Sequence, residues 1–335
     1  MTIVKRRTEP LRMAQLEALI RRLPYAHEQI PQIQEELAKQ RVGYQGEKSL
    51  HYYFSFLSTE QMYLLHDVRL LGTNGYHFQM DTLLLTPGFI AIIEIKNYTG
   101  TIYFDPDTHQ VTRSTSHSND ELLPNPLLQL NIQKAQLKGW LAQQEWPLVP
   151  ILQLVVFSDP STKIISTPKN AHLLKKVSTA PAFLSKIREL QTLYSKTYVL
   201  NSELKQLADA LAEHHTPLQS NILKEFNIKR NSIISGVFCP SCHKPTLVRG
   251  VIIGKWFCPE CQVSSKHAHI NALEDYFLLL NKNVSSLEIH QFLHTATRQQ
   301  AYDLLKPFSL SPLGGAFRSR RYELRYPLPL GITGD

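Results

Sequence analysis

Two acids and a lysine bracket one apolar hairpin in this chain. Residues 79–96 read QMDTLLLTPGFIAIIEIK, with Asp81 near the start and Glu94-Ile95-Lys96 at the end. Carboxylates are hard oxygen donors suited to magnesium or manganese with water positions left open. A lysine beside such an ion can orient a water or offset charge developing on a phosphorus-bound oxygen. The chemistry these residue types support together is metal-assisted cleavage of a phosphodiester.

The hairpin must bring them together. Pro87-Gly88 is a strong turn dipeptide, and with the turn there, positions whose numbers sum to 175 lie opposite. Asp81 is then expected across from Glu94, and Gln79 across from Lys96. Side chains at i and i+2 share a strand face, so the four should form a square. At roughly 5 Å and a dielectric of about 20, two carboxylates repel by about 3 kcal/mol, and a divalent cation between them would reverse the sign. Leu83, Leu84, Leu85, Ile90, Ile92 and Ile93 make both strands apolar on both faces, which predicts a central pair covered on two sides.

A third acid precedes them. Glu47 follows Gly43-Tyr44-Gln45-Gly46 and continues the helical stripe of Leu50, Phe54 and Leu57, which turns it toward the core. An acid at a helix start also complements the helix dipole.

These residues resemble the nuclease-related domain (NERD) family of the PD-(D/E)xK nuclease superfamily. The matching pieces are Gly43-x-x-Gly46-Glu47, Gln79-Met80-Asp81, Glu94-Ile95-Lys96-Asn97 with Gly100 following, and Asn125-Pro126-x-x-Gln129. They span about ninety residues in the family's order. Met80 stands where the family usually has Ile, a volume-preserving change. The resemblance implies a restriction-endonuclease-like α/β core in which Asp81 and Glu94 hold Mg2+ (or Mn2+), Glu47 is an added acid ligand, and Lys96 is the catalytic lysine. It brings Gln79 and Gln129 toward the same site.

All four cysteines of the chain lie in two knuckles, Cys239-Pro-Ser-Cys242 and Cys258-Pro-Glu-Cys261. This spacing predicts a tetrahedral thiolate site for structural Zn2+ in a ribbon. Residues 247–249, 251–253 and 256–257 read as its short strands, and His243, His267 and His269 as surface residues. Two disulfides and a rubredoxin-like iron site are the competing readings.

Beyond the ribbon, residues 268–282 read as a helix. Ser285 with Glu288 forms a capping box for the next one, and Thr295 or Thr297 caps a third that packs through Ala301, Leu304 and Leu305. Gly314-Gly315 then opens a basic hairpin. This resembles a winged helix, offering Arg298, Gln299 and Gln300 to a groove and Arg318, Arg320, Arg321 and Arg325 to phosphates. A three-helix module for protein contact is the alternative.

The organisation expected is residues 1–40 as helices packed on the core, 41–214 the nuclease-like domain, 215–235 a linker, 236–265 the ribbon and 266–330 the winged-helix-like module. The N-terminal helices carry Leu16, Ile20, Leu23, Ile33 and Leu37 and break at Pro24 and Pro31. Within the core, 126–145 reads as a helix started by Pro126, 151–157 as a buried strand, 196–200 as an edge strand and 202–214 as a closing helix. Asp105 and Asp107 read as a turn. The net charge of +8 favours a polyanionic partner. No apolar run is long enough to span a membrane, and the N-terminus lacks a signal-peptide core, so a cytoplasmic location is expected. The reading is a metal-dependent nuclease acting on DNA in processing, repair or defence. A catalytically inactive scaffold serving as DNA-binding regulator or protein adaptor is the alternative, and a homodimer or partner protein stays open.

Overall fold

The computed structural model describes residues 1–57, 61–115, 118–218, 220–308, 310, 312–313 and 320–328. Contacts divide the chain into two units, Met1–Glu9 with Arg41–Leu218 and Pro10–Gln40 with Gln219–Asp335. Through residue 213 the elements are β1 (Thr2–Lys5), α1 (Leu11–Arg22), α2 (Ile30–Phe54), β2 (Tyr63–Leu71), β3 (His77–Leu85), β4 (Ile90–Lys96), β5 (Thr101–Phe104), β6 (Val111–Thr115), β7 (Ser118–Leu123), α3 (Pro126–Gln143), β8 (Ile151–Phe157), β9 (Lys163–Ile165), α4 (Ala171–Leu174), β10 (Val177–Thr179), α5 (Phe183–Leu193) and α6 (Asn201–Glu213).

The first unit is built on a six-stranded sheet in the order β1-β2-β3-β4-β8-β10. The three strands in its middle, β2, β3 and β4, are antiparallel neighbours, while β1, β8 and β10 join in parallel. Leu130 and Leu137 of α3 and Leu204, Leu207 and Leu211 of α6 pack on one face. Leu50 and Phe54 of α2 with Phe183 and Ile187 of α5 pack on the other. That double cover explains why residues 83–85 and 90–93 are fully buried without alternation. Each Leu and Ile among them contributes about 1.5–3 kcal/mol relative to exposure. A second, four-stranded sheet runs β7-β6-β5-β9.

The predicted register holds at the turn: Leu85 pairs with Ile90, Leu84 with Ala91, Leu83 with Ile92 and Thr82 with Ile93. Thr86 and Phe89 close the turn through their backbone and the Thr86 hydroxyl. Gly88 is required there, because a Cβ would lie 2.1 Å from the Tyr194 carbonyl oxygen. Residues 196–200 do not form the expected edge strand. The Tyr198 N–H instead donates to the Pro87 carbonyl at 2.8 Å, laying this stretch over the turn. Their β-rich composition could not distinguish a strand from an extended strap. Helix α3 begins as Pro126 predicts, with Asn125 as N-cap accepting from the Leu127 N–H. Asp105 accepts from the Asp107 and Thr108 amides, making the predicted turn.

The second unit continues with α7 (Ile222–Glu225), β11 (Val248–Arg249), β12 (Trp256–Phe257), β13 (Ser264–Ser265), α8 (Ala268–Leu279), β14 (Asn283–Ser285), α9 (Ser286–Leu293), α10 (Arg298–Leu305) and β15 (Arg321–Glu323). It corrects two expectations. Residues 10–40 group here and not with the first unit, where only 1–9 stay. An apolar helix face says that something covers it, not what. In this unit Arg22, 1% exposed, pairs with Asp275 at 2.7 Å and donates to the Ile234 and Gly236 carbonyls. Gln15 donates to the Leu278 carbonyl. The expected linker, 215–235, contains α7 and buries Ile222, Leu223, Phe226, Ile228 and Ile233. Its apolar residues look sparse in sequence, yet 222, 223 and 226 fall on one helical face.

Among the described residues no helix is long and apolar enough to cross a membrane.

Candidate active site and four-cysteine centre

The β3–β4 ladder ends at Thr82 and Ile93, one step short of the acids. Beyond it β3 stays paired with β2, and β4 with β8 as far as Lys96 and Phe157. The direct pairings expected for Asp81 with Glu94 and Gln79 with Lys96 are therefore absent from the ladder. Asp81 explains the break: its Oδ2 accepts from the Ile95 N–H at 3.0 Å, so the side chain takes a β4 amide for itself.

Glu94 and Lys96 share the face covered by α3. Lys96 Nζ lies 2.7 Å from Glu94 Oε1, and Glu94 is 2% exposed. From α3, Gln129 Oε1 accepts from Lys96 Nζ at 3.4 Å. Gln133 Nε2 donates to Glu94 Oε2 at 3.1 Å and to the Gln79 carbonyl at 2.8 Å. Gln79 thus reaches this network through its backbone, while the residue itself is exposed.

Glu47 arrives from α2. Gly46 lets the helix come close, since a Cβ there would meet Asn97 Cβ at 2.4 Å, and Asn97 donates to the Val42 carbonyl at 2.8 Å. The expectation that Glu47 joins the metal ligands meets a competitor. Arg7, just past β1, binds the Glu47 carboxylate with Nη1. The same Nη1 reaches Asp67 Oδ1 at 2.8 Å, and Nη2 donates to the Asp81 carbonyl at 2.9 Å and the Thr82 hydroxyl at 3.1 Å. His66 Nδ1 lies 3.3 Å from Nη2 and 3.0 Å from the Thr82 hydroxyl. Asp67 has φ +52°, a left-handed conformation inside a strand, and such strain gathers at functional sites.

Charge is crowded here. Burial first, then Glu94 and Glu47, pushes the Asp81 carboxyl well above its ordinary range. Burial, with Asp67 and Glu94, lifts Glu47 to about 7 against the pull of Arg7 and Lys96. Burial disfavours the Lys96 ammonium, but Glu94 overcomes it and holds the lysine charged. Asp81 and Glu94 are oxygen donors of the kind a magnesium or manganese ion takes, and such an ion would relieve their repulsion. The three acids are not, however, drawn into one ligand set. Among the described residues, the group of three or more His, Cys, Asp or Glu whose ligand atoms all lie within 4.8 Å of one another is the four cysteines.

Arg7, Asp67, His66 and Gln133 were not singled out from the sequence. Gln133 had a signal: it is one turn beyond Gln129, on the same face of a helix. Arg7 had none, being 40 positions from Glu47 and delivered by the parallel pairing of β1 with β2.

In the second unit, Cys239 and Cys261 sulfurs are 3.4 Å apart and those of Cys242 and Cys258 are 3.7 Å apart. A tetrahedron of 2.3 Å zinc–sulfur bonds has edges of about 3.8 Å, so the spacing fits that ion. All four cysteines are free, which removes the disulfide reading. The knuckles match: His243 N–H donates to the Cys239 carbonyl and Gln262 N–H to the Cys258 carbonyl. Both residues adopt positive φ. Strands β11, β12 and β13 form a three-stranded sheet. Residues 251–253 are the exposed turn between β11 and β12 and not a strand, because two glycines flank them. His269 is buried and not at the surface; its Nδ1 accepts from Trp256 Nε1 at 3.2 Å. An amphipathic helix can bury a histidine that finds one donor.

Helices α9 and α10 start where predicted, on the Ser285–Glu288 capping box and on Thr297. Thr295 instead donates to the Thr297 carbonyl. Arg298 and Gln299 are exposed at the start of α10, and Gln299 donates to Asp303. Gln300 Oε1 is engaged by the Ala296 N–H at 3.1 Å. Arg321 donates to the Asn283 carbonyl and lies 3.6 Å from Glu288, so it braces its own fold. Arg325 is exposed and Arg320 half-buried. Arg318 and the Gly314-Gly315 turn lie outside the described residues.

Two comparisons bear on this arrangement. An uncharacterized protein of Bacillus anthracis is 24% identical over 183 residues, covering 54% of this chain and 77% of that protein. No solved structure matches the chain. The family model described as nuclease-related domain, NERD, matches residues 42–158, the span that holds Glu47, Asp81, Glu94, Lys96 and Gln129, and the chain carries a nuclease-related domain there.

Proposed function

We propose that the first unit is a magnesium- or manganese-dependent nuclease that hydrolyses phosphodiester bonds in DNA. The observation that carries this reading is the Lys96 ammonium, hydrogen-bonded to Glu94 and Gln129 near the half-buried Asp81 carboxylate. Asp81 and Glu94 would hold the metal, which when bound supplies Lewis-acid activation of water and of the phosphate. Lys96 donates to the attacking water or to a phosphate oxygen as charge builds there. Gln129 and Gln133 orient Lys96 and Glu94 from α3. Arg7 holds Glu47 beside them, an acid whose pKa of about 7 suits proton transfer near neutrality.

The second unit supports delivery to DNA. Its four thiolates would be filled by structural zinc, leaving no ligand position for catalysis. The order α8-β14-α9-α10-β15, with β14 paired to β15 and Pro312 bridged to Tyr322, supports a winged-helix reading. In that reading Arg298 and Gln299 face a groove, and Arg320 and Arg325 face phosphates.

The test is a cleavage assay with magnesium or manganese on single-stranded, duplex and branched DNA and on RNA. The wild type should cut DNA. Lys96→Ala should lower turnover by about 10²–10³-fold while leaving the fold intact. A folded wild type that cuts none of these would remove the enzyme reading in favour of a DNA-binding scaffold.

A further inference from the structure

The turn between β11 and β12 projects Val251, Ile252 and Ile253 into solvent at 64, 38 and 99% exposure, with Val248 at 43% beside them. Three consecutive aliphatic residues left this exposed gain little from folding, and such a run marks a contact surface. The backbone is shaped to present them. Gly250 (φ +111°) and Gly254 (φ +74°) take left-handed conformations on either side, and a Cβ on either would meet nothing within 4 Å. Those glycines therefore serve the turn and not close packing. The Lys255 N–H closes the tip on the Ile252 carbonyl at 3.1 Å.

The stem below is packed. Arg249 pairs across the strands with Trp256, and its guanidinium carbon lies 5.5 Å from that ring's centre. Trp256 is fully buried and donates to His269. The charge around the tip has one sign: residues 243–258 contain Lys244, Arg249 and Lys255 and no acid. Lys244 is paired with Glu260 and the Arg249 guanidinium is packed on Trp256 with its Nη1 buried, leaving Lys255 as the cation next to the tip.

A short aliphatic wedge beside a cation, with no acid in the surrounding stretch of chain, matches one ligand well. Apolar side chains enter the minor groove and part a base step, while Lys and Arg take the phosphates on each side. We infer that residues 251–253 form a wedge that inserts into duplex DNA, with Lys255 on a flanking phosphate. The inference rests on the nucleic-acid reading above and gives the four-cysteine unit a contact of its own.

The test uses the full zinc-loaded chain without magnesium, titrated onto a duplex with an aminopurine reporter at a flexible pyrimidine–purine step. Reporter fluorescence should rise on binding as the step unstacks. A variant carrying Val251→Ser, Ile252→Ser and Ile253→Ser should keep its zinc, bind roughly tenfold more weakly and lose the rise. Lys255→Ala should keep the rise and reduce the salt slope by about one. Wild-type binding without unstacking, or a triple variant that matches wild type, overturns the wedge while leaving the DNA reading in place. Tip-dependent binding to phosphatidylcholine–phosphatidylserine vesicles with unchanged DNA binding reassigns the tip to membranes. A wild type that binds no duplex at all overturns the DNA reading and the wedge with it.

Discussion

The four cysteines and the acids around β3 and β4 each bring like ligand atoms together, but they deal with like charge differently. The cysteine sulfurs stand at 3.4 and 3.7 Å in pairs. Only an ion, or protons, can make that spacing comfortable. The acids are each restrained by something else: Glu47 by Arg7, Asp81 by the Ile95 amide, Glu94 by Lys96 and Gln133. One centre is a closed cluster of four sulfurs at a spacing that suits a zinc ion. The other is a set of acids that the protein's own cation and amide partners already hold. A structural ion must be essential to the fold, whereas a catalytic one must bind where substrate and water can also enter.

Removing metal should separate the two most sharply. Chelation, or Cys258→Ser, should unfold residues 236–265, since thiolate zinc sites supply on the order of 10 kcal/mol. Limited proteolysis and zinc content read this out, and the first unit should stay protected. A ribbon that resists proteolysis without metal would erase the contrast.

Next comes Arg7→Met. It strips the cation from Glu47 and Asp67 and should cost about 3–5 kcal/mol in urea unfolding, as breaking a buried ion pair does. A loss under about 1 kcal/mol would mean that Arg7 does not hold the acids.

A smaller effect concerns His66. Burial, with Arg7 adding to it, lowers its pKa to about 3. The unfolded chain, near 6.5, therefore takes the proton first. His66 supports the fold fully above about pH 6.5, and that support fades as pH falls toward 3. About 2 kcal/mol should be gone by pH 5. His66→Asn keeps an acceptor near the Nδ1 position and should flatten this part of the stability–pH curve; an unchanged curve would refute the assignment.

The finest test compares caps. Asn125→Ala and Thr297→Ala should each cost about 1 kcal/mol in thermal unfolding. Only Asn125→Ala should slow cleavage, because α3 carries Gln129 and Gln133. Equal effects on cleavage would detach α3 from the site.

Much of the first unit was legible because short-range rules govern it. The Pro87-Gly88 turn set the register through Thr82 and Ile93, and Asn125-Pro126 marked where α3 begins. The register argument failed at its last step, where a side chain replaced a backbone partner. Residues 1–40 were read as helices broken at Pro24 and Pro31 and packed on the core, whereas residues 2–5 form β1, α2 runs unbroken through Pro31 to Phe54, and residues 10–40 group with the second unit. His269 and residues 196–200 were misread because their residue types suit more than one environment.

By itself the sequence determined the cysteine spacing, the helix caps and the apolar pattern that buries β3 and β4, all set by neighbours a few residues apart. The tertiary structure alone decided that Arg7 meets Glu47, Asp67 and the Asp81 carbonyl. That meeting depends on β1 lying parallel to β2, and a contact between distant segments leaves no periodicity in the chain to read.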